Sequence, residues 1–339
     1  MNQKPFASIF KLIPGVTLII LVSSLTFVGQ RSRTSPAPST PGIASYLPAS
    51  DGVAIIDVKR LLNETMPRIL GGDQAKLAQA NSEIDKFKTR TGVDLRTFDR
   101  VAMGTRYTYP NATTTKLETV AIAHGTFDAK AILASARAAG NGRSDDEKYR
   151  GATITVITVN DQIKLLGLWN MEIGELAICP LDQNSLAMGS LANVKAAIDA
   201  GKAGRAPAEL IALATKDPTA VIGFGANLSP ELLAKLDVGN DTIAKDIASI
   251  KQTYGSVGST QTDVTLMIIA RTDSADAAKN LSDTVLGLRD LGTMFLGRIA
   301  QPRRALAEGA LNNLKVTARG TEIEIRTQVA AANLAALMK

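Results

Sequence analysis

The sequence has one cysteine, Cys179, and one histidine, His124, in 339 residues. A single thiol excludes an internal disulfide. The two counts also exclude most zinc sites, which draw three or four ligands largely from His and Cys, and haem attachment through CxxCH. Aromatic residues are scarce at 4%, so Ala, Leu, Ile and Val must fill the core. Acidic residues are missing from the start of the chain. Lys4, Lys11, Arg31 and Arg33 all precede the first acid, Asp51. Beyond that segment, 34 basic residues face 32 acidic ones. The formal net charge of +6 is therefore largely terminal. No concentrated basic surplus remains of the kind that displaces counterions from DNA or RNA, so no nucleic-acid partner is expected.

The longest charge-free apolar run is Leu12–Val28, LIPGVTLIILVSSLTFV, preceded by Lys4 and Lys11. Its length sits where a secretory signal and a membrane span overlap, so residues 1–29 are a signal peptide or a transmembrane anchor. No A-x-A cleavage pattern stands near Val28, which favours an uncleaved anchor. Residues 30–45, QRSRTSPAPSTPGIAS, carry Pro36, Pro38 and Pro41 among small polar residues. That composition predicts an extended, solvated linker. The expected location is a single-pass membrane protein with its domain outside the cytoplasm, or a secreted or periplasmic protein if the segment is cleaved. The membrane is then a partner through Leu12–Val28 when that segment is retained.

The rest of the chain shows a repeat. Thr119–Ala138, TVAIAHGTFDAKAILASARA, reads as buried strand, tight turn and helix. A looser version returns at Thr265–Leu288, TLMIIARTDSADAAKNLSDTVLGL. Around the two copies, strands at Val53–Val58 and Ala220–Phe224 correspond, as do Phe98–Tyr107 and Tyr254–Ser259. Asp128 and Ser274 are N-caps for the two repeated helices. Pro67 is expected to interrupt a helix begun at Lys59, and Gly92 to end the next one. The order strand, helix, strand, strand, helix, strand suggests an α+β fold of two ferredoxin-like (split β-α-β) repeats, residues 46–205 and 206–339. Each would be an antiparallel sheet with helices on one face, preceded by an N-terminal hydrophobic helix.

Candidate chemistry is thin. Gly223-Phe224-Gly225 follows a strand, but Leu228 stands where a dinucleotide loop needs its third glycine, so turn glycines are the better reading. His124 ends a strand and would need Ser135, Asp128 or Asp99 brought to it to act as a base. Cys179 lies in apolar LAICP and reads as a buried, unreactive thiol. Glu322 and Glu324 alternate with Ile323 and Ile325, the pattern of a strand's wet face. Asp145-Asp146-Glu147 reads as a loop charge run without the spacing of a calcium loop. Trp169, Met171 and Ile173 fall on a predicted hairpin tip and form the candidate partner or membrane contact. No catalytic, cofactor-binding or metal-ligating set is identified, and no cofactor is expected.

The stretches SYLPASDGVAIIDVKRLL, HGTFDAKAIL and SLAMGSLANVKAAID resemble those of poorly characterised bacterial envelope proteins that carry an N-terminal signal or anchor and repeated α+β units. The resemblance implies a fold and an extracytoplasmic site, and brings no catalytic residues. The expected role is non-catalytic binding or scaffolding at the cell envelope, with an envelope protein as a possible partner. The alternatives are a hydrolase-like enzyme with its site between the repeats, and a carrier of small apolar ligands.

Overall fold

The computed structural model describes residues 41–335, apart from 110–115, 141–142, 166–168, 204 and 235–239. The segment Leu12–Val28 and linker residues 30–40 lie outside the described residues. The described chain divides into two compact units, residues 41–224 and Gly225–Asn333.

The first unit runs through β1 (Gly52–Asp57), α1 (Gln74–Thr91), β2 (Phe98–Thr108), β3 (Lys116–Gly125) and α2 (Ala129–Gly140). It continues with β4 (Ser144–Tyr149), β5 (Ala152–Leu165), β6 (Trp169–Pro180), β7 (Ser185–Gly189), α3 (Leu191–Ala203) and α4 (Ala208–Ala214). Its strands lie in the order β1-β2-β3-β7-β6-β5-β4, and every neighbouring pair is antiparallel. The boundary between the units falls inside β8 (Ile222–Asn227). The second unit then holds α5 (Asp241–Ala248), β9 (Ile250–Ser259), β10 (Asp263–Thr272), α6 (Ala275–Phe295), α7 (Arg303–Asn312), β11 (Lys315–Arg319) and β12 (Glu322–Ala330). Its order is β8-β9-β10-β12-β11, antiparallel from β9 outward.

Both units follow one plan. An opening strand and helices lead to a hairpin, a helix follows, and the last strand of a later hairpin docks beside the first hairpin (β7 on β3, β12 on β10). The first unit adds the β4–β5 pair. This order differs from the split β-α-β arrangement. There the first two strands are separated by a third, whereas β1 pairs directly with β2, Gly52 opposite Thr105 and Asp57 opposite Arg100. The chain between them is long enough to return antiparallel, through the helical run 58–70 and α1. That run does not break at Pro67. A π-helical turn, Leu61–Thr65, stands ahead of the Met66–Leu70 helix, where the missing proline N–H removes one ladder bond.

The first unit begins and ends beyond the expected limits. Pro41–Ala44, inside the expected linker, forms a short helix, and Ile43 and Ala44 are buried. At the other end the Arg60 guanidinium donates to the carbonyls of Thr219 (2.7 Å) and Ala220 (3.0 Å). The Asp57 N–H donates to the Val221 carbonyl at 2.8 Å. These bonds hold 206–224 with the first unit, although the sequence places a boundary at 205.

The main core joins α1 and α2 to the sheet. Phe87, Ile132, Leu133 and Ala136 pack with Phe98, Ala123, Ile157, Ile178 and Leu186. The rings of Phe98 and Phe127 meet edge to face, 5.4 Å between centroids. Helices on a single face would leave the alternate strand residues wet. Instead Ile122, Ala177 and Ala187, which point away from that cluster, are also fully buried. Helix α3, with buried Val194, Ala197 and Ala200, packs on β3, β6 and β7.

Three further differences have local causes. Asp145-Asp146-Glu147 is not a loop but part of β4, the last strand in its sheet order. Charge suits such an edge. Arg137 donates to both Asp146 oxygens (3.1 and 2.8 Å) and Lys195 pairs with Glu147. Ile243, Ile247 and Ile250 stand at a helical spacing that predicts a helix over Asp241–Thr253, but the helix ends at Ala248, because Gln252 and Thr253 enter the β9 ladder opposite Arg271 and Ala270. The apolar spacing Leu281, Val285, Leu288, Phe295, Ile299 predicts that the helix capped by Ser274 runs to about Ala300, but it stops at Phe295, and α7 starts beyond Pro302. Gly292 lies where that second helix comes close, since a side chain there would meet Leu311 at 3.2 Å.

Candidate functional site

In the first unit, polar groups gather where β3 ends and the β6–β7 turn passes. A cleft of about 630 Å³ opens there, lined by Phe127, Asp128, Lys130, Leu181, Asp182 and Asn184 among others. Asp182 is its most committed group. It accepts from the Tyr46 hydroxyl (3.1 Å) and from the Asn184 backbone N–H (2.8 Å). Partial burial alone would raise its carboxyl. The bonds from Asn184, Ser185 and Tyr46, with the nearby charge of His124, outweigh that and hold it below the usual carboxylate range. The Tyr46 phenol is pushed up by burial and then by Asp182.

His124 is exposed, in register between Arg100 on β2 and Ser185 on β7. Its charge acts on Asp182, a neighbour the sequence reasoning missed. Residues 58 positions apart carried no local signal of this; only the β3–β7 register could have. The partners considered from sequence are engaged elsewhere. Asp128 caps α2, accepting from Lys130 and Ala131 N–H groups at 2.8 and 3.4 Å. Asp99 stands 3.8 Å from Lys59. The backbone of Ser135 sits against Gly92. A carboxylate held low is a weaker base, and a phenol held high a weaker acid, than the free groups. Among the described residues, no group of three or more His, Cys, Asp and Glu could hold a metal ion.

The remaining sequence candidates resolve into structure. Cys179 is fully buried on β6, and burial pushes its thiol up to about 11. Alkylation of the folded protein at pH 8 should therefore run at least ~100-fold slower than in urea, since only a small thiolate fraction exists and nothing reaches it. Rapid labelling of the native chain, followed by mass, would refute this. Glu322 accepts from Arg271 (2.7 Å) and from the Tyr254 hydroxyl (3.2 Å), and Arg271 continues to Gln252 at 2.6 Å and stacks over the Tyr254 ring. Gln252 in turn donates to Asn227 at 2.9 Å. The expected wet glutamate thus anchors a polar row across four strands. Gly223 and Gly225 are not in a turn. Both lie in β8, and a side chain on Gly223 would meet the Ala214 carbonyl at 1.9 Å, so it serves helix packing.

Trp169, Met171 and Ile173 open β6 in register with Leu165, Ile163 and Asp161. Their side chains lie outside the described part of the structure. Among the described residues, Leu117 on β3 is exposed singly, and the other exposed large apolar side chains lie together in the second unit. Leu288, Leu291, Met294 and Phe295 are 45, 52, 78 and 40% exposed, all on the last two turns of α6. At 100° per residue, Leu288, Leu291 and Phe295 form one stripe and Met294 borders it. Earlier in the helix, Ala278 and Leu281 bury the inner face. The sequence put Leu288 and Phe295 on a core face. The 3.6-residue period was right, but only the first half of the helix buries that face. Among the described residues no helix is long and apolar enough to cross a membrane.

No protein-family model and no curated protein matches this sequence. Among solved structures, crystal form III of TP0453 is similar, with a TM-score of 0.45, 9% identity, and coverage of 88% of this chain and 98% of that one. Crystal form I gives a TM-score of 0.42 at 11% identity over 88% of this chain and 96% of that one. Crystal form IV gives 0.45 at 9% identity over 86 and 94%.

Proposed function

We propose that this chain is a non-catalytic binding module of the cell envelope, held at a membrane by Leu12–Val28 with its folded part outside the cytoplasm. The observation that carries the reading is the cluster of four exposed apolar side chains on one helix end. Single exposed leucines are ordinary, but a contiguous group marks a contact surface. The engagement of Asp182, Tyr46 and Asp128 in hydrogen bonds adds support against an acid–base site. On this reading the two units are copies of one duplicated plan behind an N-terminal hydrophobic helix, the first enlarged by the β4–β5 pair.

Cell fractionation with intact-mass measurement tests it. A full-length chain is expected in the membrane fraction, cut when protease is added to spheroplasts. A chain that resists that protease until the cells are lysed would end the extracytoplasmic reading, and a soluble shortened chain would end the tethered one.

A further inference from the structure

We infer that the end of α6 docks on an anionic lipid surface, through the stripe Leu288, Leu291 and Phe295 with Met294 beside it. The inference rests on the tethered reading above and names what the exposed surface meets. Two observations choose a membrane over a second copy of the chain. The first is charge. From Asp283 to Glu308 the sequence has four arginines, Arg289, Arg298, Arg303 and Arg304; Arg289 pairs with Asp290 and Arg304 with Glu308, which leaves Arg298 and Arg303 to edge the stripe. Arg298 and Arg303 are exposed, and the Arg298 guanidinium lies 4.9 Å from the centre of the Phe295 ring. An apolar stripe edged by arginine is the composition of a helix lying in the headgroup region, where each basic residue near an anionic surface adds about 1 kcal/mol.

The second is reach. Residues 29–40 separate the apolar run from the first described residue. Twelve residues span at most ~40 Å when fully extended. On the tethered reading the first described residue therefore stays within about that distance of the bilayer, and lipid contact becomes an intramolecular event at raised effective concentration. A weak lipid contact is enough under those conditions. The exposed Met294 adds an adaptable side chain at the rim.

The experiment uses the full chain reconstituted into vesicles of phosphatidylcholine alone, or of phosphatidylcholine mixed with phosphatidylglycerol. Met294→Cys carries a polarity-sensitive fluorophore, and Lys279→Cys, at the exposed start of the same helix, carries it as a water-facing reference. The buried Cys179 should not label. On the anionic vesicles the Met294 probe is expected to shift to the blue and to be quenched by spin-labelled lipid, while the Lys279 probe does neither. Arg298→Glu with Arg303→Glu should lower the docked fraction at least ~10-fold. A Met294 probe that stays water-like while the chain floats with anionic vesicles would overturn the inference and leave the tethered reading standing. A chain that does not float would end the tethered reading itself. A shift of equal size on neutral vesicles would also overturn the inference. So would one that grows with protein-to-lipid ratio there, and that result would mark a second copy as the occupant.

Discussion

Gly92→Ala is expected to lower the unfolding free energy by ~3 kcal/mol or more. Two separate costs add at this position. Gly92 closes α1 in the left-handed region, φ 72°, with its N–H donating to the Lys88 carbonyl at 2.7 Å. An L-residue there costs about 1–2 kcal/mol. Its missing side chain is also where α2 passes. A Cβ would lie 2.3 Å from the Ser135 carbonyl carbon and 2.4 Å from the Ala136 nitrogen. Those are backbone atoms, so a whole helix must shift, and overpacking of this kind costs about 1–3 kcal/mol more. Gly151→Ala is the control. That glycine is also left-handed, φ 85°, but a Cβ there meets nothing, so only the conformational cost of about 1–2 kcal/mol applies. Urea denaturation of both variants separates the terms. Equal losses at the two positions would mean that α2 does not press on Gly92.

Gly92 was legible in the sequence as a helix-ending glycine, but its contact with α2 was not, because no local pattern carries a helix 43 positions away. The same division runs through the fold. The strands β1, β3 and β7 are short apolar runs and stand within a residue or two of the stretches VAIIDV, LETVAIAHG and SLAMG that the sequence marks by composition. N-caps at Asp128 and Ser274 were readable because each cap is a local hydrogen bond, and both side chains accept from the first turn of their helix. What was missed depended on partners. β4 is polar on both sides and is a strand only because β5 pairs with it. Residues 250–253 continue an isoleucine periodicity that favours helix, yet the β10 ladder claims them. Strand order is the extreme case, since β1 beside β2 and β1 split from β2 need the same sequence pattern. The site followed suit: His124 stood out by its rarity, whereas Asp182 is one ordinary turn aspartate until the β3–β7 pairing places it.

Ile178→Ala should cost ~2–5 kcal/mol, and Leu291→Ala close to nothing. The contrast tests what each apolar surface is for. Ile178 lies on β6 between Thr155 and Met188, has no exposed surface, and packs in the cluster of Leu186, Ile157 and Ala123. Truncation removes its transfer energy and leaves a cavity that flanking strands, pinned by their ladders, cannot close. Leu291 is half exposed on α6. Alanine there gives up little burial and has the better helix propensity, so the chain loses no more than a few tenths of a kcal/mol. If chemical denaturation instead shows a loss above ~1 kcal/mol for Leu291→Ala, the stripe is an internal contact and has no call for an outside partner. If stability is kept while the docked fraction falls, the four side chains contribute nothing to folding. Their place on the surface is then explained by binding alone, since a helix end free of packing demands accepts polar residues at no cost.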